Sequence, residues 1–199
     1  METTVPTELR TKLHFEHSHA FIIGINDYEQ MPKLQTAVSD ARKLAEVLAQ
    51  QQGFFVFPPL LNAKAAEIRQ LLDHTLAEKV GKKDCVFFYF AGHGIAADGD
   101  DGPAGYLVPA DADPADMKTF IPMEVLHNKL HELPCRHLLL VLDCCFSGAF
   151  KWSSQHRAIG NLMPKKIFKE RFDRFIEERA WQVLTSAAYD QKALDVLKG

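Results

Sequence analysis

The chain has 199 residues, 47% hydrophobic and 25% charged, and its 23 Lys+Arg against 26 Asp+Glu leave a formal charge of −3. That is room for one sizeable core, and the charge balance excludes a nucleic-acid binder held mainly by a basic face. No apolar run reaches the roughly 18–20 residues that span a bilayer, and the composition is neither fibrous nor disordered.

In chain order, residues 1–17 form a polar lead; Met1 to Arg10 has no apolar h-region, so a cytoplasmic chain is expected. Residues 19–25 (HAFIIGI) read as a buried strand ending at Asn26-Asp27. Helical spacing of Val38, Ala41, Leu44, Ala45 and Leu48 predicts a helix over 36–51, stopped by Gly53. Residues 54–61 (FFVFPPLL) read as a strand, placed near an edge because Pro58-Pro59 cannot donate to a ladder. Asn62 is expected to cap a helix to about Val80, with Ile68, Leu71, Leu72, Thr75 and Leu76 as its apolar stripe.

A continuous apolar strand follows at 85–91, then a Gly/Asp-rich excursion over 92–105 and an extended piece, 106–109. A helix over 121–132 leads to another apolar strand, 137–143. Residues 146–165 read as a mobile polar and basic loop, 167–179 as a helix and 181–187 as a strand. Continuous apolar strands alternating with amphipathic helices predict one three-layer α/β/α domain with a mostly parallel sheet.

Ligand sites in such sheets form beyond the carboxyl ends of the strands. Two of those ends carry unusual residues: 85–91 runs into Gly92-His93-Gly94, and 137–143 runs into Asp143-Cys144-Cys145-Phe146-Ser147-Gly148. If the two strands are parallel neighbours, a histidine meets a cysteine. An imidazole lowers a nearby thiol's pKa and can later protonate a leaving amine. Glycines on both sides of His93 allow close backbone approach and free the Gly94 N–H to face an oxyanion. The four cysteines (85, 135, 144 and 145) do not read as a disulfide framework, and no His/Cys cluster has zinc-ligand spacing, so no metal is expected.

FYFAGHG (88–94) and LDCCFSG (142–148), with His93 and Cys145 52 positions apart, resemble the caspase-like cysteine peptidases, especially the metacaspase and bacterial orthocaspase branch. HAFIIGINDY (19–28), LQTAVSDA (34–41), YLVPAD (106–111) and LTSAAYDQKA (184–193) fit the same resemblance, which covers residues 18 to 196. It implies a caspase-like catalytic domain over 18–199: a large-subunit-like part (18–150), a processing loop (151–166) and the start of a small-subunit-like part (167–199).

By this resemblance His93 is the general base and acid, Cys145 the nucleophile, and the Gly94 and Cys145 N–H groups the oxyanion hole. Asp40 and Asp143 match the acids of the first specificity pocket, and two carboxylates select a cation, so cleavage after Arg or Lys is implied. Ser186, in LTSAA (184–188), would sit on an edge to which substrate peptide adds as a strand. Phe146 stands where many metacaspases have His, and Ala91 where some have Ser; both alter pocket polarity without removing a catalytic group.

Some metacaspases need calcium. Here the turn Asp98-Gly99-Asp100-Asp101-Gly102 lacks the remaining spacing of an EF-hand loop and reads as solvated, so no cofactor is expected, with calcium activation left open. Self-cleavage is implied within the basic segment 149–179, with Arg157 in SSQHR-AIG as the preferred site.

The expected partners are proteins or peptides with a basic residue before the cut, with no nucleic acid or membrane. A regulatory or C-terminal partner segment also fits, because caspase-like folds continue into a sixth strand that is not seen before Gly199. Two other functions remain open: a catalytically silent caspase-like interaction module, opposed by intact His93 and Cys145, and a small-molecule thiol hydrolase, opposed by the paired acids.

Overall fold

The computed structural model describes residues 15–97, 104–144 and 179–186. Its centre is a parallel sheet. Strand β1 (Ser18–Gly24) lies beside β4 (Cys85–Ala91), β4 beside β8 (His137–Asp143), and β8 beside β9 (Ala180–Thr185). Two short strands, β2 (Phe55–Val56) and β3 (Leu60–Leu61), pair with the other side of β1.

The expected single strand over 54–61 is therefore two. Phe57 still donates its N–H to Ala20 O at 3.0 Å. Pro58 and Pro59 have no N–H to continue the ladder, so pairing resumes only at Leu60.

One face of the sheet carries the main core. Phe21, Ile23, Val86, Phe88, Phe90, Leu138, Leu140 and Leu142 alternate inward from β1, β4 and β8. They pack under α2 (Ala65–Gln70), a π turn (Leu71–Thr75), α3 (Leu76–Lys79) and α4 (Met123–His131). The stripe of Ile68, Leu71, Leu72 and Leu76 is buried there as its spacing predicts.

Asn62 does not cap this helix. It sits at φ 53°, a left-handed conformation that asparagine tolerates, and its Oδ1 accepts the N–H groups of Asn26 and Asp27. The helix starts at Ala65 instead. Glu67 accepts the Lys64 N–H at 2.9 Å, and Asp111 accepts that of Ala65 at 2.7 Å.

The other face is covered by α1 (Ala37–Gln51), which packs Ala37, Ala41 and Leu48 against Ala20, Ile22, Tyr89 and Ala91. Gly24 makes that approach feasible: a Cβ there would lie 2.6 Å from Ala37 O and from Ala41 Cβ. The first turn of α1, with Asp40, is thereby seated over the carboxyl end of the sheet. Beyond β4, the chain enters a small antiparallel sheet of β5 (Gly94–Ala97), β6 (Ala104–Leu107) and β7 (Ile121–Pro122). No helix among the described residues is long and apolar enough to cross a membrane.

Candidate active site at the carboxyl end of the sheet

The two unusual strand ends are neighbours. Strands β4 and β8 run parallel in register from Cys85↔His137 to Ala91↔Asp143, and Gly92 N–H donates to Asp143 O at 3.2 Å. His93 follows directly, half-buried, and Gly94 opens β5.

His93 is held at three points. Its backbone N–H donates to Tyr28 Oη at 2.7 Å, and the Tyr28 hydroxyl in turn donates to Ile25 O at 3.2 Å. Its backbone carbonyl accepts from Val108 N at 3.1 Å. Its ring lies 4.6 Å from the Tyr28 ring, and Nε2 lies 2.8 Å from Pro32 O. A carbonyl only accepts, so Nε2 carries the hydrogen and a neutral ring keeps Nδ1 as its basic nitrogen. Burial pushes the Tyr28 phenol well above its ordinary range, so this prop stays uncharged. Gly92 leaves room for it: a Cβ there would stand 2.8 Å from Tyr28 Oη, so a larger residue would have to displace the hydroxyl.

Acidic groups gather around Tyr89, on the α1 face of β4. Its hydroxyl lies 3.4 Å from Asp143 Oδ2, a long hydrogen bond. Burial first, then the charges of Asp143 and Asp40, push the Tyr89 phenol upward. Asp143 is exposed at the end of β8, and Asp40 is half-buried in the first turn of α1. Asp40 also borders a shallow concavity of about 400 Å³ whose floor is Phe87, Tyr89 and Val141 and whose wall includes Lys43.

Cys144 is buried, 1% exposed, within the main core. Ser186, just past β9, donates its N–H to Leu142 O at 3.0 Å, and its hydroxyl approaches Cys144 O at 3.5 Å. The described residues thus bring His93, Gly94, Asp143, Asp40 and Ser186 to one end of the sheet. Cys145, Phe146, the processing loop expected over 151–166 with Arg157, the acidic turn at 98–102 and all but the last residue of the helix expected over 167–179 lie outside them.

Sequence reasoning missed Tyr28, Pro32 and Tyr89. A loop carbonyl has no residue-type signature, and nothing in the sequence sets the two tyrosines apart from their segments. It also missed a cluster at the opposite end of the sheet, where His17, His19 and Asp84 meet; the i, i+2 histidine pair in HSH was the available signal.

The caspase domain family matches residues 17–192. The chain is 24% identical over 151 residues to Metacaspase-1A of Aspergillus niger, covering 65% of this chain and 35% of the relative. Metacaspase-1A of Aspergillus terreus is 24% identical over the same length, with 65% and 36% covered. The match thus spans about a third of those relatives' length. A solved protein from Geobacter sulfurreducens shares the fold at a TM-score of 0.54 and 23% identity, over 66% of this chain and 52% of that one. With the parallel sheet and its strand-end residues in place, the match over 17–192 settles the family: this chain belongs to the caspase domain family and has its α/β fold.

Proposed function

We propose that the chain is a cysteine endopeptidase domain that cleaves proteins after Arg or Lys, with Cys145 as nucleophile and His93 as general base and acid. The observation that carries this reading is the His93–Pro32 contact at 2.8 Å, which leaves Nδ1 as the proton acceptor of a residue that directly follows Gly92, itself bonded to Asp143 at the end of β8. A base oriented by a third group is the arrangement that activates a nucleophile. In the proposed cycle, Cys145 Sγ adds to the scissile carbonyl carbon and His93 takes the thiol proton. The N–H groups of Gly94 and Cys145 face the oxyanion; the C–N bond then breaks and His93 protonates the departing amine. Water, deprotonated by His93, hydrolyses the remaining thioester.

Specificity is assigned to Asp40 and Asp143. Both charges act on Tyr89, so a guanidinium or ammonium seated beside that ring would meet two anions. Self-cleavage at Arg157 follows from the same preference.

The test is release of fluorophore from peptides ending in Arg, Lys or Asp, with and without calcium, for the wild type and Cys145→Ala. The expected result is turnover of Arg and Lys substrates alone, abolished in the variant. Release from Arg substrates that survives in Cys145→Ala would reject the nucleophile. No release under any condition would favour the silent interaction module.

A further inference from the structure

At the amino end of the sheet, remote from His93, three ligand-type side chains converge across two strands. His17 and His19 flank Ser18 at the start of β1, and the strand period of two puts both imidazoles on one side. Asp84 directly precedes β4, whose Cys85 is in register with Ser18, so its carboxylate arrives on the same side. His17 Nδ1 lies 3.1 Å from Asp84 Oδ1, and His19 Nε2 lies 3.2 Å from Asp84 Oδ2. All three ligand atoms fall within 4.8 Å of one another.

We infer that His17, His19 and Asp84 form a binding site for a divalent first-row transition ion of the zinc class. The carboxylate meets one imidazole through each of its oxygens, and small side-chain adjustments would bring one ligand atom from each residue to the roughly 2.0–2.2 Å bonds that zinc makes to nitrogen and carboxylate oxygen.

His19 supplies an independent sign. It is 8% exposed, walled by Phe21, Phe55 and Phe57, and neither of its ring nitrogens makes a hydrogen bond. Its Nε2 is close to the carboxylate but off the line that a hydrogen bond needs. A buried polar group without a hydrogen bond is costly, and a bound cation would remove that cost for Nε2.

The surroundings have the shape of an outer shell. Gly81 N–H donates to Asp84 Oδ2 at 2.6 Å and orients the carboxylate, while Arg136 N–H and His137 N–H hold the Asp84 carbonyl at 3.0 and 3.3 Å. His17 is 67% exposed and provides the way in from solvent, with one coordination position left for water. Two imidazoles and one carboxylate suit zinc-class ions. Calcium and magnesium want oxygen donors instead. Strand β4 spans seven residues, roughly 20 Å at 3.3 Å per residue, so the ion would staple β1 to β4 without touching the catalytic end.

The experiment uses the full chain in a Cys145→Ala background, so that the thiol cannot take metal. Metal-stripped protein is titrated with Zn2+ against a chromogenic chelator, and bound zinc is counted by elemental analysis. The expected result is one ion per chain and a thermal midpoint that rises with Zn2+ and falls back with EDTA. His17→Ala removes an exposed ring and is checked for folding by circular dichroism. It should weaken zinc by more than about 100-fold, beyond the cost of losing an outer-shell partner. His17→Gln serves if that variant unfolds. Substoichiometric zinc in the Cys145→Ala chain, or equal affinity in a folded His17 variant of it, would overturn the site.

Discussion

Tyr28 is the residue on which the geometry of His93 depends, because its buried hydroxyl is the acceptor for the histidine's backbone N–H. Tyr28→Phe keeps the ring against the imidazole but strands that N–H and the Ile25 carbonyl. Unpartnered buried groups cost about 1–3 kcal/mol, so the urea midpoint should fall accordingly. If His93 is the base, kcat should fall with little change in KM, because the tyrosine acts on the base and not on substrate. An unchanged midpoint would show that the N–H finds another partner. At this scale the sequence was half legible. The histidine stood out as a polar residue between glycines at the end of an apolar strand. Its supports, a tyrosine hydroxyl 65 positions away and the carbonyl of Pro32, arrive only when the loop after β1 folds across β4.

At the scale of elements, the placement of α1 decides where Asp40 sits, and Gly24 decides how closely α1 approaches. Gly24→Ala would force a methyl within 2.6 Å of Ala37 O and Ala41 Cβ, both buried, so the helix must shift. Overpacking of this kind costs about 1–3 kcal/mol, read by denaturant unfolding. If Asp40 lines the specificity pocket, KM for Arg peptides should rise as well. Stability equal to wild type would mean that α1 is not pinned there.

Strands β4 and β8 were legible because they are apolar without interruption, the pattern of a parallel strand buried on both faces. The segment over 54–61 was misread as continuous because its composition is strand-like on both sides of two prolines. The start of α2 was misplaced because Asn62 satisfies loop N–H groups that precede the helix, a long-range role with no local signature.

For the molecule as a whole, the order β2-β1-β4-β8-β9 places the two chemistry-bearing strand ends side by side and the His/Asp cluster at the far end. Burial also makes the fold sensitive to alkali. It pushes the Cys135 thiol up to about 12 from 9.0, and it raises the phenols of Tyr28 and Tyr89 above their ordinary 10.0. For groups with raised folded values, the stabilisation is complete below the unfolded pKa and is lost as pH climbs toward the folded one. Unfolding free energy should therefore decline from about pH 9 upward, and Tyr89→Phe should make the decline shallower. Stability that stays level to pH 11 would contradict this.

Attack by Cys145 on peptides after a basic residue, as proposed, can be read by intact-mass measurement after exposure to an electrophilic peptide ending in Arg. The expected outcome is one adduct per chain, mapped to Cys145, absent in Cys145→Ala, and much slower to form with the matching peptide ending in Asp. An adduct on another cysteine, or equal labelling by the Arg and Asp peptides, would contradict it.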